Sequence, residues 1–162
     1  NFNCKIIRYN NIFGPKMGFG HVIPHLVERF LDNEIPFKIY GADQTRSFCY
    51  IDDGALGTIQ AMECDEAKHD IFHIGSEIEI TIEDLVNESG KFFNYNGKYE
   101  IAPTYPGSVS RRWPDISKSK KMFNFSPKVK WKDGLIKTLL WYKDYYLNHD
   151  KRYFEEPNKY YT

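Results

Sequence analysis

The sequence predicts an α/β fold, with helices and strands in packed layers, and three observations support this class. Short apolar runs alternate with longer stretches whose apolar residues recur every three or four positions, as expected of buried strands and amphipathic helices. No fixed-period repeat and no low-complexity tract interrupts that order. The chain has 162 residues, of which 41% are hydrophobic, so it is long enough to bury a core as one ordinary domain.

Composition and charge exclude several classes of protein. The 22 basic residues balance 22 acidic ones, whereas a general nucleic-acid binder needs a basic face to neutralise phosphates. No apolar run approaches the roughly 20 residues that span a bilayer, and the mean hydropathy is −0.59. The three cysteines (Cys4, Cys49 and Cys64) are odd in number and widely spaced, which argues against a disulfide framework. We therefore expect a reduced, cytoplasmic protein that binds neither nucleic acid nor membrane.

The predicted elements begin almost at the first residue. In chain order they are a strand at 4–9, a glycine-containing loop at 14–20, a helix from Pro24 to about 33–34, strands at 37–40 and 48–51, a helix from Asp52 to about Cys64, a strand at 70–75, a helix from Thr81 to about Phe92, a strand at 98–102, a polar loop at 103–114, a short helix at 115–123 and a last helix from Asp133. A strand with no lead-in suggests that a further part of the protein precedes it.

Residues at the element boundaries justify the first half of this order. Pro24 suits a first helical position, because the N–H that proline lacks has no helical partner there. Gly41 ends the strand before it, and Asp52 is a good N-cap for the helix that follows. Gly54 and Gly57 would weaken that helix by about 1 kcal/mol each relative to alanine, unless close packing requires them.

Capping residues justify the second half. The segment from Thr81 to Asp84 resembles a capping box, with Asp84 in place of the usual glutamate. Asp115 is expected to cap the short helix, and Asp133 to open the last, amphipathic one. The tail from His149 is polar and aromatic, and we expect it to cover a neighbouring surface.

Metal and nucleophile motifs are weak in this sequence. His21 and His25 are four residues apart but have Pro24 between them, and neither H-E-x-x-H nor a paired C-x-x-C occurs. No G-x-S-x-G elbow is present. The acidic pair Asp52 and Asp53 would suit acid–base work, although a helix cap with first-turn charge is the simpler interpretation. The sequence therefore predicts no metal site.

Arginine and tyrosine side chains at loop edges are more informative. Arg46 follows a turn, Arg111 and Arg112 lie in the long loop, and Tyr40 ends a strand beside Gly41. Guanidinium groups bind phosphate oxygens in a bidentate manner, and an aromatic ring can stack on a nucleobase. Taken singly, each of these residues fits a surface charge or a core aromatic residue better.

The order of motifs resembles a known family. The segment 8–15, which reads R-Y-N-N-I-F-G-P, is similar to the R-x-x-N-x-[YF]-G-P strand and loop of the nucleotide-sugar epimerase/dehydratase family, which are extended short-chain dehydrogenases/reductases. Further landmarks follow in the family's order: H-V-I-P at 21–24, I-Y-G at 39–41, Q-T-R-S-F-C-Y-I-D-D at 44–53, F-H-I-G-S at 72–76 with I-T-I at 80–82, P-G at 106–107 and D-I-S-K-S-K-K at 115–121. The resemblance spans residues 5 to about 146.

This resemblance implies the C-terminal part of an extended Rossmann-type fold, with the last elements of the parallel sheet and a small mixed α/β substrate-binding subdomain. We expect residues 1–80 to include the sheet elements, 81–148 the substrate subdomain and 149–162 a tail. In the family the N-terminal half carries the glycine-rich NAD turn and a catalytic Tyr-x-x-x-Lys, and this chain has neither motif. NAD is therefore the expected cofactor of the complete protein, and no catalytic residue is assigned here.

The family's binding residues carry over by motif position. Tyr9 would lie near the nicotinamide end of the cofactor, and Asn11 would contact the phosphate or sugar of the substrate. Many relatives have Arg-x-Gly-Asp where this chain has Tyr-Pro-Gly-Ser at 105–108, and Arg112 is expected to replace the lost phosphate contact. The other implied contacts are to the diphosphate from His21, Val22 and Arg46, and to the base from Lys38 and Tyr40.

The resemblance implies a reaction that begins with transient oxidation of a nucleotide-sugar, usually at C4, and UDP is the expected nucleotide. Epimerisation, dehydration or decarboxylation follows, and the position of Arg112 favours a decarboxylase-like or general epimerase branch without choosing the outcome. A homodimer is compatible with the family. Two alternatives stay open, a non-catalytic nucleotide-sugar binding module that lacks a Rossmann half and an incomplete α/β piece that binds nothing.

Overall fold

The structure, a computed structural model, describes residues 3–104 and 106–149. The strands are β1 (Lys5–Tyr9), β2 (Ile12–Phe13), β3 (Phe37–Tyr40), β4 (Thr45–Ser47), β5 (Cys49–Tyr50), β6 (Asp70–Ile74), β7 (Glu79–Thr81), β8 (Tyr99–Ala102) and β9 (Arg111–Arg112). The helices are α1 (Val22–Leu31), α2 (Ile51–Glu63), α3 (Ile82–Phe92), α4 (Ser117–Phe123) and α5 (Trp131–Asn148). Helices and strands alternate along the chain, so the α/β class predicted from the sequence is confirmed.

Short and mostly parallel ladders connect the strands. β1 pairs with β6, β2 with β5 and β3 with β8, all in parallel. β4 lies between β7, which is antiparallel to it, and β9, which is parallel. β9 was not predicted within the loop at 103–114, because it forms only by pairing with β4. Parallel pairing brings the carboxyl ends of partnered strands to one edge, where open α/β sheets bind their ligands.

Two apolar clusters hold these layers together. The larger one joins α1, α3 and α5, and in it the Phe30 and Phe37 rings stack with 4.2 Å between their centroids. The smaller one lies between α2, α4 and β6, with Phe72 fully buried at its centre. The larger cluster combines residues of the ranges 1–80 and 81–148, and the predicted division of the chain into these ranges stays a prediction.

Close packing explains the two glycines of α2. A Cβ on Gly57 would lie 2.7 Å from the Phe125 ring and 2.9 Å from Ile74 Cδ1. A Cβ on Gly54 would lie 3.2 Å from Ile12 Cδ1. The backbone of α2 therefore approaches β2 and the smaller core directly. Close packing was the one reason that the sequence offered for glycine at these two positions.

Three predicted helix starts are wrong by one to two residues. Pro24 is the third residue of α1. Proline is tolerated there because the backbone N–H groups of the whole first turn of a helix have no intrahelical partner. Asp52 is not the N-cap of α2, because Tyr50 occupies that position and α2 begins at Ile51. The strand predicted at 48–51 is therefore shorter in the structure, where it is β5. Asp133 is the third residue of α5. Acidic side chains in a first turn stabilise the helix through its dipole, so they mark a start without defining its first residue.

The capping box at Thr81 is confirmed. Thr81 Oγ1 accepts the N–H of Asp84 at 2.9 Å, and Asp84 Oδ2 accepts the N–H of Thr81 at 3.1 Å. Asp115 lies one residue before the cap position of α4, yet its Oδ1 accepts the N–H of Ser117 at 2.8 Å. The tail predicted at 149–162 lies outside the described residues beyond its first one.

Candidate functional site

A cavity of about 720 Å³ opens at the carboxyl ends of β1 and β3, beside the amino end of α1. Small-molecule sites typically enclose about 300–1,000 Å³, so this volume suits a ligand. The structure brings to it all eight binding residues predicted from the sequence, while their individual roles stay predictions. These residues are Tyr9, Asn11, His21, Val22, Lys38, Tyr40, Arg46 and Arg112.

Arg46 and Arg112 form the basic centre of this cavity. They are direct partners across β4 and β9, so their side chains project from the same face of that ladder. Burial lowers the pKa of the Arg46 guanidinium from its ordinary value, and the neighbouring charge of Arg112 lowers it further. Among the described residues that line the cavity there is no Asp or Glu. Two guanidinium groups that repel each other are stabilised by an anion, so the pair favours a ligand with phosphate oxygens.

Neutral oxygen atoms hold the Arg46 guanidinium in place. Its Nη1 donates to the carbonyl of Thr45 at 2.7 Å and, more weakly, to that of Ser110 at 3.4 Å. Its Nη2 donates to the carbonyl of Val109 at 2.8 Å and to Gln44 Oε1 at 3.0 Å. These acceptors fix the position of the positive charge without neutralising it.

The neighbouring Arg111 has a different environment. Its Nε and Nη2 each donate to a carboxylate oxygen of Glu79 at 2.8 Å, and it does not line the cavity. The hydrogen bonds from Arg111 and from the Thr45 hydroxyl lower the pKa of Glu79 from 4.5 to about 2. Of the two adjacent arginines, only Arg112 therefore lies where it can meet a ligand.

Aromatic and basic side chains line the end of the cavity near β3. The Arg29 guanidinium lies 4.1 Å from the centroid of the Phe37 ring and 5.8 Å from that of Tyr40. Glu34 binds Arg29 through two hydrogen bonds of 2.6 and 2.8 Å, and this contact lowers the pKa of Glu34. Arg29 is thus paired within the protein and packs beside the rings of Phe37 and Tyr40, of which Tyr40 lines the cavity. Lys38 is exposed beside it.

At the other end, Tyr9 is the last residue of β1, and Asn11 follows two positions later. Asn11 has a φ of 44°, and its Nδ2 donates to the carbonyl of Ser47 at 2.9 Å. The Tyr9 hydroxyl lies 2.7 Å from Thr58 Oγ1. Because the Thr58 hydroxyl itself donates to the Gly54 carbonyl at 2.8 Å, Tyr9 is the donor of the bond to Thr58. Asn11 is therefore held by β4, while the Tyr9 residue stays 56% exposed.

Sequence reasoning missed several polar residues of the lining. His25 and Arg29 follow His21 at four-residue spacing on α1, and that periodicity was a usable signal. Gln44 had no such signal, because its role depends on partners about sixty residues away. The polar lining residues outside the prediction are Asn10, His25, Arg29, Gln44, Thr104 and Ser108.

Residues 3–104 and 106–149 lack the features of a metal site or a membrane span. Within them, no group of three or more His, Cys, Asp or Glu side chains is arranged to hold a metal ion. The described helices include none with the length and hydropathy that a membrane crossing requires. The cavity itself offers cations, amides and hydroxyls, a set that suits binding of an anion carrying a polar group.

Relatives of known function match most of the chain. Residues 1–75 match the family model described as "NAD dependent epimerase/dehydratase family". The chain is 33% identical over 149 residues to UDP-N-acetyl-alpha-D-glucosaminuronate decarboxylase of Bacillus cytotoxicus, covering 86% of this chain and 46% of that protein. It is 30% identical over 144 residues to UDP-glucuronate 4-epimerase of Thermodesulfobacterium geofontis, covering 88% and 44%. The chain therefore spans less than half the length of these two curated relatives.

Solved structures share the fold. The crystal structure of UDP-glucuronic acid 4-epimerase from Bacillus cereus, in complex with UDP-glucuronic acid and NAD, superposes with a TM-score of 0.79 at 29% identity, covering 87% of this chain and 45% of that one. The extended Rossmann-type fold predicted from the resemblance is thereby confirmed.

Proposed function

We propose that the chain, whose residues 1–75 match the model of the NAD dependent epimerase/dehydratase family, forms the nucleotide-sugar binding site of an NAD-dependent epimerase, dehydratase or decarboxylase. The observation that carries the proposal is the Arg46–Arg112 pair, set in a cavity of about 720 Å³ whose described lining contains no carboxylate. A nucleoside diphosphate supplies the negative charges that stabilise such a pair.

The ligand is oriented by the chemistry of the two ends of the cavity. We assign the diphosphate to Arg46 and Arg112, close to the amino end of α1, whose backbone N–H groups favour an anion. The base lies between Lys38 and Tyr40, where a planar ring can stack. The sugar then points toward Asn11 at the carboxyl end of β1, the edge at which sheets of this kind bind their ligands.

A UDP-sugar is the proposed substrate class. The relatives named above are a UDP-N-acetyl-glucosaminuronate decarboxylase and two UDP-glucuronate 4-epimerases, so their substrates are UDP-uronic acids. A uronate adds a carboxylate to the two charges of the diphosphate, which suits a lining rich in cations. UDP-glucuronate is therefore the first substrate to test with the complete protein.

NAD is the proposed cofactor of the complete protein, and when bound it accepts and returns the hydride in reactions of this kind. The residues of this chain fit only the edge of such a site, since Gly14, Gly18 and Gly20 lack the G-x-G-x-x-G spacing of a dinucleotide-binding turn and no Tyr is followed four residues later by Lys. Tyr9 is the residue that we assign to the nicotinamide side. Binding and orienting the nucleotide-sugar is thus the role of this chain, and hydride transfer is not assigned to its residues.

An exposed apolar face supports a contact with the NAD-binding part of such a protein. Within the described residues β1 is paired on one edge, by β6. Ile6 on β1 is 49% exposed, and Ile59 and Met62 on α2 are 49% and 71% exposed. An open strand edge beside exposed apolar side chains is normally covered by another layer. No feature of the described residues specifically favours the alternative of a non-catalytic binding module.

Nucleotide binding by this chain tests the proposal. The thermal unfolding midpoint is measured with UDP, GDP, CDP and dTDP, and UDP is expected to raise it most. A ligand at about 100 times its Kd stabilises by about 2.7 kcal/mol, which corresponds to a rise of several degrees. Arg112→Gln is expected to weaken UDP binding about tenfold to a hundredfold, as for the loss of a charge-assisted hydrogen bond.

Arg111→Gln is the matched control, because it removes the same charge one residue away from a side chain that binds Glu79 outside the cavity. Each response is measured against the variant's own midpoint without ligand, so a change in stability does not imitate a change in binding. The proposal is refuted if no nucleotide raises the midpoint of the folded chain. It is also refuted if the two variants lose the response equally.

A further inference from the structure

We propose that Gln44 is the positioning residue of the anion site: it holds the Arg46 guanidinium and fastens the loop formed by Thr104 and residues 106–110 beside it, while its neutral amide leaves the site positively charged. Gln44 opens the landmark at 44–53, and the resemblance implied no role for it. The inference rests on the proposed function, since its consequence is the affinity for a diphosphate.

Every polar atom of the Gln44 side chain is engaged. The residue is 7% exposed. Its Oε1 accepts from Arg46 Nη2 at 3.0 Å and from the Ser108 hydroxyl at 2.8 Å. Its Nε2 donates to Thr104 Oγ1 at 2.8 Å. One amide thus connects the cation to both arms of the loop.

The turn that carries Gln44 is shaped around this side chain. The Gln44 N–H donates to the Gly41 carbonyl at 2.9 Å, and the Gln44 carbonyl accepts the N–H of Ile82 at 2.9 Å. Gly41 has a φ of +64°, and a Cβ there would lie 2.7 Å from Gln44 Cδ. The backbone is therefore anchored on both sides, and glycine at position 41 leaves the space that the amide occupies.

Arg46 completes the attachment of the loop through the carbonyls of Val109 and Ser110. With Thr45 and Gln44 as the other acceptors, each of the four Nη hydrogens has a partner. Arg46 therefore presents a charge held in one place, with Nε as its remaining donor. The position of that charge, and of the loop that borders the cavity, depends on Gln44.

The choice of glutamine over glutamate follows from charge. A glutamate at position 44 has the same length and offers oxygens to Arg46 and Ser108, and the Thr104 hydroxyl can rotate to donate to it. It would also pair with Arg46 and cancel the charge that attracts a diphosphate. Glutamine supplies the same bonds without adding a negative charge.

Two variants separate the effect of the Gln44 hydrogen bonds from the effect of its neutral charge. Gln44→Met keeps the approximate size and removes all three hydrogen bonds, whereas Gln44→Glu keeps the bonds and adds a charge. Hydrogen exchange of the amides at 107–112 reports on the loop without any nucleotide. Calorimetry with UDP and with inorganic pyrophosphate reports on the anion site, and uridine, which lacks the diphosphate, is titrated by NMR as the control ligand. Gln60→Met, the same replacement in α2 away from the cavity, is the control variant.

Gln44→Met is expected to accelerate exchange in the loop and to raise the Kd for UDP and pyrophosphate about tenfold, which is the loss of one ordinary hydrogen-bond energy. Gln44→Glu is expected to leave exchange unchanged and still raise both Kd values about tenfold or more. The Kd for uridine stays within about twofold in every variant.

The inference is overturned if Gln44→Met leaves loop exchange unchanged, or if Gln44→Glu binds pyrophosphate as tightly as the unmodified chain. A failure of the unmodified chain to bind UDP refutes the proposed function instead, while loop exchange and pyrophosphate binding still decide the role of Gln44.

Discussion

Asp53 allows a sharp test of how the fold is held together, through the variant Asp53→Asn. Its side chain is buried, at 3% exposure. Its Oδ1 accepts the backbone N–H of Lys128 at 3.0 Å, and its Oδ2 accepts that of Val129 at 2.9 Å. The two bonds tie the segment before α5 to the first turn of α2. Asp52, in the same turn, is exposed.

The expected loss follows from these two bonds. An asparagine keeps one acceptor and turns its NH₂ group toward the second backbone N–H, which leaves two buried donors facing each other. Hydrogen bonds to a charged acceptor contribute about 1.5–3 kcal/mol, and an unsatisfied buried donor costs about 1–3 kcal/mol, so we expect a loss of about 2–4 kcal/mol. For a chain of this size that lowers the unfolding midpoint by roughly 5–15 °C. Asp52→Asn loses only a helix-dipole interaction of about 0.3–1 kcal/mol.

Urea unfolding of both variants, followed by circular dichroism and by tryptophan fluorescence, measures the difference. Trp131 begins α5 two residues after Val129, so its emission reports on the attached segment. Neither aspartate lines the cavity, and UDP affinity of the folded variants is expected to stay unchanged. Equal losses of stability in the two variants would show that the Asp53 bonds do not hold α5 to α2.

Two further variants test packing and charge. Gly57→Ala places a methyl group 2.7 Å from the Phe125 ring, and we expect urea unfolding to show a loss of about 1–3 kcal/mol despite the better helix propensity of alanine. Gly54→Ala, whose Cβ has 3.2 Å to its nearest neighbour, is the milder control, and an equal loss there would contradict the packing argument. The hydrogen bonds from Arg111 and from the Thr45 hydroxyl lower the pKa of Glu79 from 4.5 to about 2, so the ionised carboxylate stabilises the fold above pH 4.5 and this contribution disappears as the pH falls from 4.5 toward 2. The unfolding midpoint of Glu79→Gln should therefore depend less steeply on pH in that range, and superimposable curves would show that the ion pair contributes nothing.

Motif order explains why the predicted binding residues line one cavity, while their roles stay predictions. Tyr9, which was assigned to the cofactor, and Arg112, which was assigned to the substrate phosphate, are 103 positions apart, yet both line one cavity, because a family's landmarks keep their order when the fold is kept. Motif position does not identify hydrogen-bond partners. It gave no reason to single out Gln44, whose side chain is fixed by residues of a distant loop.

Element boundaries show the same difference between features that a local pattern predicts and features that it leaves open. The capping box at Thr81 was predicted correctly, because both of its bonds lie within four consecutive residues. Asp52 was misassigned as a cap, because an acidic residue favours any position in a first turn and the local pattern does not separate these positions.

Local patterns and the order of motifs along the chain were thus sufficient for the α/β class, most of the helices and strands, and eight of the residues that line the cavity. Apolar periodicity, turn residues and motif order all act between near neighbours or along the chain. Three features depended on the tertiary structure: the pairing of Arg111 with Glu79 outside the cavity, the partners of Asp53, and the way in which Gln44 holds Arg46. Each depends on the register of strands or loops that are distant in sequence, and a shift of one residue in such a register turns a side chain to the opposite face.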